Sequence, residues 1–153
     1  MAFYRLNTAE LTDAVHILKP GDQVELSGVV YTARDAAHKK LFALLDEGKP
    51  LPFPLENAVI YYAGPTATPP GRVIGSCGPT TSSRMDKFTP ALLDGGVAIL
   101  IGKGGRAKTV MDSLVKNKAV YLAAAGGAGA YLAACVQECE PIAFLDLGTE
   151  AIH

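Results

Sequence analysis

The chain has 153 residues, of which 49% are hydrophobic and 19% are charged, and its formal net charge is −1 at pH 7. This composition is typical of a globular domain with a substantial core. The near-neutral charge argues against a nucleic acid as the main partner, because binding phosphates requires an excess of basic residues. The odd count of three cysteines excludes a complete internal disulfide framework and favours reduced thiols.

The uncharged stretch at residues 119–136 is the one segment to test as a membrane span. It is interrupted by Gly126, Gly127 and Gly129, and alanine and glycine transfer only weakly into lipid. We therefore interpret it as a buried strand, a turn and a buried helix. The first ten residues also lack the apolar core of a secretory signal. Together these features predict a cytoplasmic protein without a membrane partner.

Strands and helices are predicted to alternate along the chain. Alternating or continuous apolar runs predict strands at residues 3–6, 23–32, 58–63, 72–75, 97–101, 119–124 and 141–147. Helical periodicity and N-cap residues predict helices at residues 8–15, 34–47, 81–93, 106–117 and 128–136, with an interruption near Pro90 as the alternative for residues 81–93. The prolines of residues 49–54 require an extended connection. This order predicts a single α/β domain over residues 1–153, built in layers.

The segment GSCGPTTSSRMD at residues 75–86 is the most informative part of the chain. Its glycines and proline predict a tight turn, and its four consecutive hydroxyl residues offer N-caps to a following helix. Because free N–H groups at a helix start attract anions, the junction could bind a carboxylate or phosphate, with Arg84 as a forked clamp. The alternative is a capped junction with a solvated arginine.

Two further cations fall at predicted junctions. Arg34 lies where a strand ends and a helix begins, and since a cation is unfavourable at a helix N-terminus, a functional role is indicated. Lys103 lies between glycines at the carboxyl end of a buried strand, where α/β proteins usually bind ligands; the alternative is a flexible turn with an exposed lysine. If the junctions share one edge of the sheet, Arg34, Arg84 and Lys103 present three cations to a small dicarboxylate or phosphate ester.

Three other features have structural interpretations beside functional ones. His38 either orients a substrate or hydrogen-bonds the helix start. The glycine-rich residues 125–130 lack dinucleotide-binding spacing, which favours close backbone packing. Cys135 and Cys139 are four residues apart, but further metal ligands at suitable spacing are not evident, which favours free thiols.

These segments together resemble the C-terminal domain, or β subunit, of class I fumarases and the related L-tartrate dehydratases. The resemblance runs from about residue 21 to the end. Its specific words are SGVVYTARDAAHKKL (27–41), YYAGPT (61–66), GPTTSSRMD (78–86), GKGG (102–105) and LGTEAI (147–152). The forms TARDAAH and YYAGP are more similar to the fumarase branch of the family than to the tartrate dehydratase branch. The family usually continues into another strand segment, so we expect a short variant or a truncated domain that lacks its closing segment.

The resemblance implies a swivelling β/β/α fold and a reversible hydration of fumarate to malate that requires a larger α part. In that family the α part supplies the cysteine ligands of a [4Fe–4S] cluster, whose open iron binds substrate as a Lewis acid. The cysteines of this chain match no cluster-ligand motif, which implies that the partner α subunit holds the cluster. We expect a hetero-oligomer with that subunit, or a homodimer through this domain.

Matched position by position, Arg34 and Arg84 resemble the family's clamps for the substrate carboxylates. Thr80 occupies the position of the proposed base that moves the carbon-bound proton, and Lys103 would complete the charged pocket. Fixed cations suit this chemistry, because removing a proton next to a carboxylate builds charge on that carboxylate. A threonine hydroxyl is a poor base alone, so Thr80 needs a nearby cation or partner residues. Three alternatives stay open: a dehydratase of tartrate or another hydroxy-dicarboxylate, a non-catalytic anion-binding or regulatory domain, and a plain scaffold subunit, which would tolerate substitution of Arg34 and Arg84.

Overall fold

The computed structural model describes residues 1–11 and 13–153, and its strands form two parallel sheets. The small sheet pairs β1 (Phe3–Asn7) with β2 (Gln23–Ser27). The large sheet has the strand order β3-β4-β5-β6, with β3 (Tyr31–Thr32), β4 (Val59–Tyr61), β5 (Ile99–Gly102) and β6 (Val120–Ala123). The predicted α/β class is confirmed, and the swivelling β/β/α arrangement stays a prediction.

Helices connect the neighbouring strands of the large sheet, as parallel pairing requires. The α-helices within the described ranges are α1 (Asp35–Asp46), α2 (Thr89–Asp94), α3 (Lys108–Asn117) and α4 (Gly129–Ala134). The first of them ends before Gly48, whose φ of 64° is the left-handed conformation that commonly terminates a helix. In the part of the chain that the structure describes, no helix is long and apolar enough to cross a bilayer.

The large sheet is covered on both faces, which is the usual environment of parallel strands. Successive strand residues point to opposite faces, so Ile60 and Leu100 pack into the main core beneath α1 and α2. Val59 and Ile99 point the other way, into a smaller cluster with the N-terminal segment. The sheet is therefore held from both sides, and its strand ends are free to carry loops.

The strand predicted over residues 23–32 is wrong, because the chain forms two strands that belong to different sheets. Gly28 separates them with a φ of 108°, a conformation that favours glycine. A Cβ atom at Gly28 would overlap Thr8 Oγ1 and lie 3.0 Å from Asn7 Oδ1. The backbone turns here at close approach to the end of β1, and the chain passes from the small sheet to the large one.

Two other predicted strands are also wrong. Residues 72–75 form an irregular loop. Residues 141–147 contribute one antiparallel bridge, between Ala143 and Ile152, and then enter a 3₁₀ helix over Leu145–Glu150. Ile74 in the first segment, and Ala143, Phe144 and Leu147 in the second, pack against buried clusters, which local periodicity alone cannot distinguish from strand formation.

Two predicted helices are divided into shorter pieces. Residues 8–15 form separate 3₁₀ turns at Thr8–Glu10 and Ala14–Ile17, with Asn7 rather than Thr8 as the first N-cap, and Thr12 lies outside the described residues. The helix predicted over residues 81–93 is divided into a 3₁₀ turn at Ser82–Met85 and α2. Pro90 lies in the first turn of α2, where proline is tolerated, so the break comes before it.

Candidate functional site

The parallel strands of the large sheet bring the candidate residues to one edge. The loops that leave the carboxyl ends of β3, β4, β5 and β6 all start there, and we call this side the carboxyl edge. Arg34 follows β3, and Lys103 follows β5 directly. The junctions identified from the sequence therefore share an edge, which is the usual position of ligands in such sheets.

Arg34 is the N-cap residue of α1, and its side chain lies against the loop after β4. A Cβ atom at Gly64 would lie 2.9 Å from Arg34 Cδ and 3.1 Å from Nη1, so the glycine makes room for the guanidinium. The Nε atom is buried and lies 3.9 Å from Glu150 Oε1, and among the described residues it has no hydrogen-bond partner. A half-buried cation whose buried Nε has no hydrogen-bond partner within the described residues is a suitable ligand for an anion.

Arg84 reaches the same helix start through Asp35. Its Nε donates a hydrogen bond to Asp35 Oδ1 at 3.1 Å, and its Nη2 lies 2.7 Å from Oδ2 as an ion pair. Asp35 is favourable in the first turn of α1, where the helix dipole is positive. Half of the Arg84 side chain stays exposed, so this contact orients the guanidinium without enclosing it.

Thr80 lies on a segment that crosses the ends of β4 and β5. Its backbone N–H donates to Tyr62 O at 2.7 Å, and the next two residues pair with Lys103 through a parallel bridge at Thr81 and a 2.9 Å bond from Ser82 N to Lys103 O. The hydroxyl run does not cap an α-helix as expected: a 3₁₀ turn at Ser82–Met85 follows it, and the N-cap residue Thr81 makes no side-chain cap bond. The N–H groups of Thr80 and Ser82 are already used by strand ends. An anion here would be bound by side chains rather than by a helix start.

Lys103 extends along the glycine-rich loop after β6. A Cβ atom at Gly126 would lie 3.4 Å from Lys103 Cδ and 3.5 Å from Nζ. The same loop packs on the segment before Thr80, since Cys77 N donates to Gly129 O at 3.1 Å. The prediction of close backbone packing for residues 125–130 is confirmed. The packed loop lies along the side chain of Lys103 at the carboxyl edge.

His38 has a structural position in the folded chain. It is fully buried, and its Nδ1–H donates to Arg34 O at 2.7 Å. Burial lowers the pKa of His38 to about 4, so the imidazole is neutral at pH 7. Of the two interpretations of His38, the bond to the helix start is the one found, and it fixes the backbone of Arg34.

The cysteines do not form a metal-binding group. Burial raises the pKa of Cys77 to about 11, which keeps it a protonated thiol, while Cys135 is exposed. Within residues 1–11 and 13–153, no three His, Cys, Asp or Glu side chains are placed to hold a metal ion. Because an iron–sulfur cluster is held mainly by several thiolates, these residues do not fit one.

The sequence prediction missed Arg106. Its side chain is only 2% exposed, and its Nε donates to Asp86 Oδ1 at 2.7 Å. Its Nη2 donates to the Tyr62 hydroxyl at 3.1 Å and to Thr89 Oγ1 at 2.9 Å, and its Cζ lies 5.1 Å and 5.0 Å from the ring centroids of Tyr62 and Tyr121. The one signal in the sequence is an arginine directly after GKGG, which is the first residue of the helix predicted over residues 106–117.

Comparisons with known proteins give concordant matches. The family model described as Fumarase C-terminus matches residues 3–153. Fumarate hydratase 2 of Leishmania major is 42% identical over 134 residues, which are 86% of this chain and 24% of that protein. The anaerobic class I fumarate hydratase of Escherichia coli K12 is 42% identical over 132 residues, with coverages of 85% and 24%. A putative L(+)-tartrate dehydratase subunit beta of Methanocaldococcus jannaschii is 40% identical over 132 residues, which are 84% of this chain and 68% of that protein.

Proposed function

The chain belongs to the Fumarase C-terminus family, and we propose that it supplies the dicarboxylate-binding part of a hydro-lyase that reversibly hydrates fumarate to malate. It spans only 24% of the length of the fumarate hydratases that it matches. We therefore infer that a larger α part completes the active site, so that this chain acts as a β subunit or β domain. Association with that part, or pairing through this domain, belongs to the same proposal.

The observation that carries the proposal is the cationic group at the start of α1. Arg34 has a buried Nε that is 3.9 Å from Glu150 and lacks a hydrogen-bond partner within the described residues. Arg84 is oriented toward the same helix start by Asp35. We assign these two guanidinium groups to the substrate carboxylates, because a dicarboxylate needs two anion contacts and arginine matches carboxylate geometry.

We assign the proton transfer at carbon to Thr80 and the stabilisation of developing charge to Lys103. The backbone bridge between Thr81 and Lys103 supports this pairing, since it holds the lysine one residue from Thr80 across the strand end. A nearby cation favours the ionised form of a hydroxyl, which a threonine needs in order to accept a proton. Substrate charge that grows during proton removal would be stabilised by the same lysine.

The [4Fe–4S] cluster is proposed to belong to the α part. The buried thiol of Cys77 and the absence of a metal-ligating group within the described residues support this placement. When bound, the cluster would supply Lewis-acid chemistry to the shared site. The tasks of this chain are to bind the carboxylates, orient them and move the proton.

A second candidate function is the dehydration of tartrate or another hydroxy-dicarboxylate. The observation in its favour is the match to the putative tartrate dehydratase subunit beta, of which this chain covers 68%. That relative is a separate subunit, whereas the fumarate hydratases are several times longer than this chain. Both candidate functions use the same cationic residues at the carboxyl edge, so they differ in the substrate rather than in the residues assigned.

The test is a reconstitution assay with a substrate panel. The chain is combined anaerobically with its α part carrying a reconstituted cluster, and fumarate absorbance is followed for the mixture and for each component alone. Turnover of fumarate only in the mixture would support the hydratase, and turnover of tartrate alone would transfer the proposal to the dehydratase. A stable complex with an intact cluster that turns over none of the dicarboxylates would favour a non-catalytic anion-binding domain instead.

A further inference from the structure

We propose that Arg106 is a positioning residue for the carboxyl edge, where it keeps the segment that carries Thr80 and Arg84 in fixed register with the loop that carries Lys103. For its kinetic readout this inference rests on the proposed hydro-lyase function. Arg106 itself is almost fully buried, with 2% of its side chain exposed, so it acts through its neighbours rather than on the substrate.

The first link runs through Asp86, which ends the segment that carries Thr80 and Arg84. Arg106 Nε donates to Asp86 Oδ1 at 2.7 Å. The second oxygen, Oδ2, accepts a bond of 2.9 Å from Ala107 N, just before α3. One carboxylate thus joins the end of this segment to the backbone that follows Lys103, and a shift of either side would break a buried ion pair.

The second link runs through Tyr62 at the end of β4. The Tyr62 hydroxyl accepts a bond from Arg106 Nη2 at 3.1 Å, and the guanidinium lies over the ring at 5.1 Å. The backbone carbonyl of the same tyrosine accepts the 2.7 Å bond from Thr80 N. Arg106 therefore fixes the residue on which the backbone of Thr80 is held.

The third link runs through Tyr121 on β6, whose ring lies 5.0 Å from Arg106 Cζ. The Tyr121 hydroxyl donates to Gly104 O at 2.8 Å and accepts a bond of 2.9 Å from Ser82 Oγ. Packing there is tight, since a Cβ atom at Gly102 would overlap Ser82 Oγ. The tyrosine joins the loop after β5 to the 3₁₀ turn that carries Arg84.

A contribution to stability alone does not account for this arrangement. Replacing a buried ion pair with apolar residues of similar volume is often neutral or stabilising. The Arg106 Nη1 atom also stays buried without a hydrogen-bond partner in the described part of the chain, which is a cost. What the guanidinium provides is a planar group that holds Asp86, Tyr62 and Tyr121 in one geometry.

The experiment compares Arg106→Lys with Lys108→Gln in the complete enzyme, α part included. Lysine keeps the charge but loses the planar fork, so kcat per active site should fall about 10- to 100-fold, as expected for a small misplacement of reacting groups, while KM changes less than about threefold. Lys108 lies two residues after Arg106 with 86% of its side chain exposed, and its substitution should change neither constant. Loss of stability alone would lower the amount of active enzyme and leave both constants unchanged, which would overturn the proposal.

A second readout does not depend on turnover. Amide hydrogen exchange is measured on the same preparations, and Arg106→Lys should accelerate exchange at Thr80 and Ser82 by about tenfold or more while Ile60 and Leu100 stay protected. Unchanged exchange at Thr80 and Ser82 would overturn the positioning role. If the wild-type enzyme turns over none of the dicarboxylates, the proposed function fails, and the exchange data alone decide the proposal.

Tyr121→Phe is the variant to use if Arg106→Lys does not fold. It removes only the hydroxyl that joins Ser82 to Gly104, so the fold should be retained. We expect a smaller effect in the same direction on kcat and on exchange at Ser82. A Tyr121→Phe enzyme with normal kcat and normal exchange would overturn the proposal by itself.

Discussion

At the scale of single residues, Arg84 is the most direct test of the proposed site. Its guanidinium is half exposed and already held by Asp35, so Arg84→Ala removes a charge that is oriented before substrate binds. We expect kcat/KM to fall by at least about 100-fold, which corresponds to a clamp of about 3 kcal/mol. Lys87→Ala is the matched control, because it removes the same charge from an exposed position three residues away. Steady-state kinetics on both variants test this expectation. Near-normal turnover of Arg84→Ala would contradict the assignment of Arg84 as a carboxylate clamp.

His38 predicts how stability depends on pH. Burial lowers its pKa from 6.5 to about 4, while the nearby Asp35 raises it and Arg106 lowers it further. Below pH 6.5 the unfolded chain binds a proton that the folded chain does not, so stability present above pH 6.5 is lost as the pH falls toward 4. A difference of this size corresponds to about 3 kcal/mol.

The measurement for His38 is urea unfolding between pH 7 and pH 4.5. His38→Gln keeps a donor for Arg34 O but cannot titrate, so its stability should depend less on pH than that of the wild type. His16→Gln replaces an exposed histidine and should retain the wild-type dependence. Carboxyl groups with lowered pKa values, at Asp22, Asp94 and Asp146, titrate below this pH range. Equal slopes for His38→Gln and the wild type would contradict the prediction.

At the scale of elements, Gly28 is the position where the passage between the two sheets can be tested. Gly28→Ala introduces both a strained φ and an overlap with Thr8, so we expect a loss of about 3 kcal/mol in the free energy of unfolding. Gly21→Ala shares the positive φ, at 93°, but its Cβ atom would have nothing within 4 Å. The free energy of unfolding of Gly21→Ala should therefore fall only by the cost of the strained φ, which is about half of the loss expected for Gly28→Ala. Equal losses in the two variants, measured by denaturant unfolding, would mean that the contact with Thr8 carries no cost.

The elements that the sequence predicted correctly are those with strong local signals. α1 and α3 follow the predicted helices at residues 34–47 and 106–117, where an amphipathic pattern continues for several turns. The strands β4, β5 and β6 of the large sheet follow apolar runs such as residues 97–101. The missed features depend on distant contacts: the turn at Gly28 depends on Thr8, and the segment at residues 141–147 is shaped by Ile152.

Within the candidate site, the positions of the residues were predictable but their partners were not. The rule that ligands bind at the carboxyl ends of parallel strands placed Arg34 and Lys103 on one edge. Nothing local indicated that Asp35 would pair with Arg84, which is 49 residues away, or that Arg106 would be buried. An arginine is usually exposed, so its burial against Tyr62 and Tyr121 is a property of the tertiary structure alone.

At the scale of the whole molecule, the C-terminal residues are built into the large sheet and its site. Thr32 N donates to His153 O at 3.0 Å, and His153 N donates back to Thr32 Oγ1 at 3.1 Å, which ties the chain end to β3. Glu150 Oε1 accepts a bond of 3.4 Å from Ala36 N in the first turn of α1. The segment that carries LGTEAI therefore supports the backbone on which Arg34 and Asp35 are displayed.

Ile152 is the residue that anchors this segment, because it is fully buried in the main core. Ile152→Ala leaves a cavity, and we expect the free energy of unfolding to fall by about 2–4 kcal/mol. Ile142→Ala makes the same chemical change in the paired segment at a side chain that is 39% exposed, and it should cost less than about 1 kcal/mol. Denaturant unfolding of the two variants gives the comparison. Equal small losses would mean that the segment rests on the domain without stabilising it, and the support that Glu150 gives to α1 would then contribute little to the proposed site.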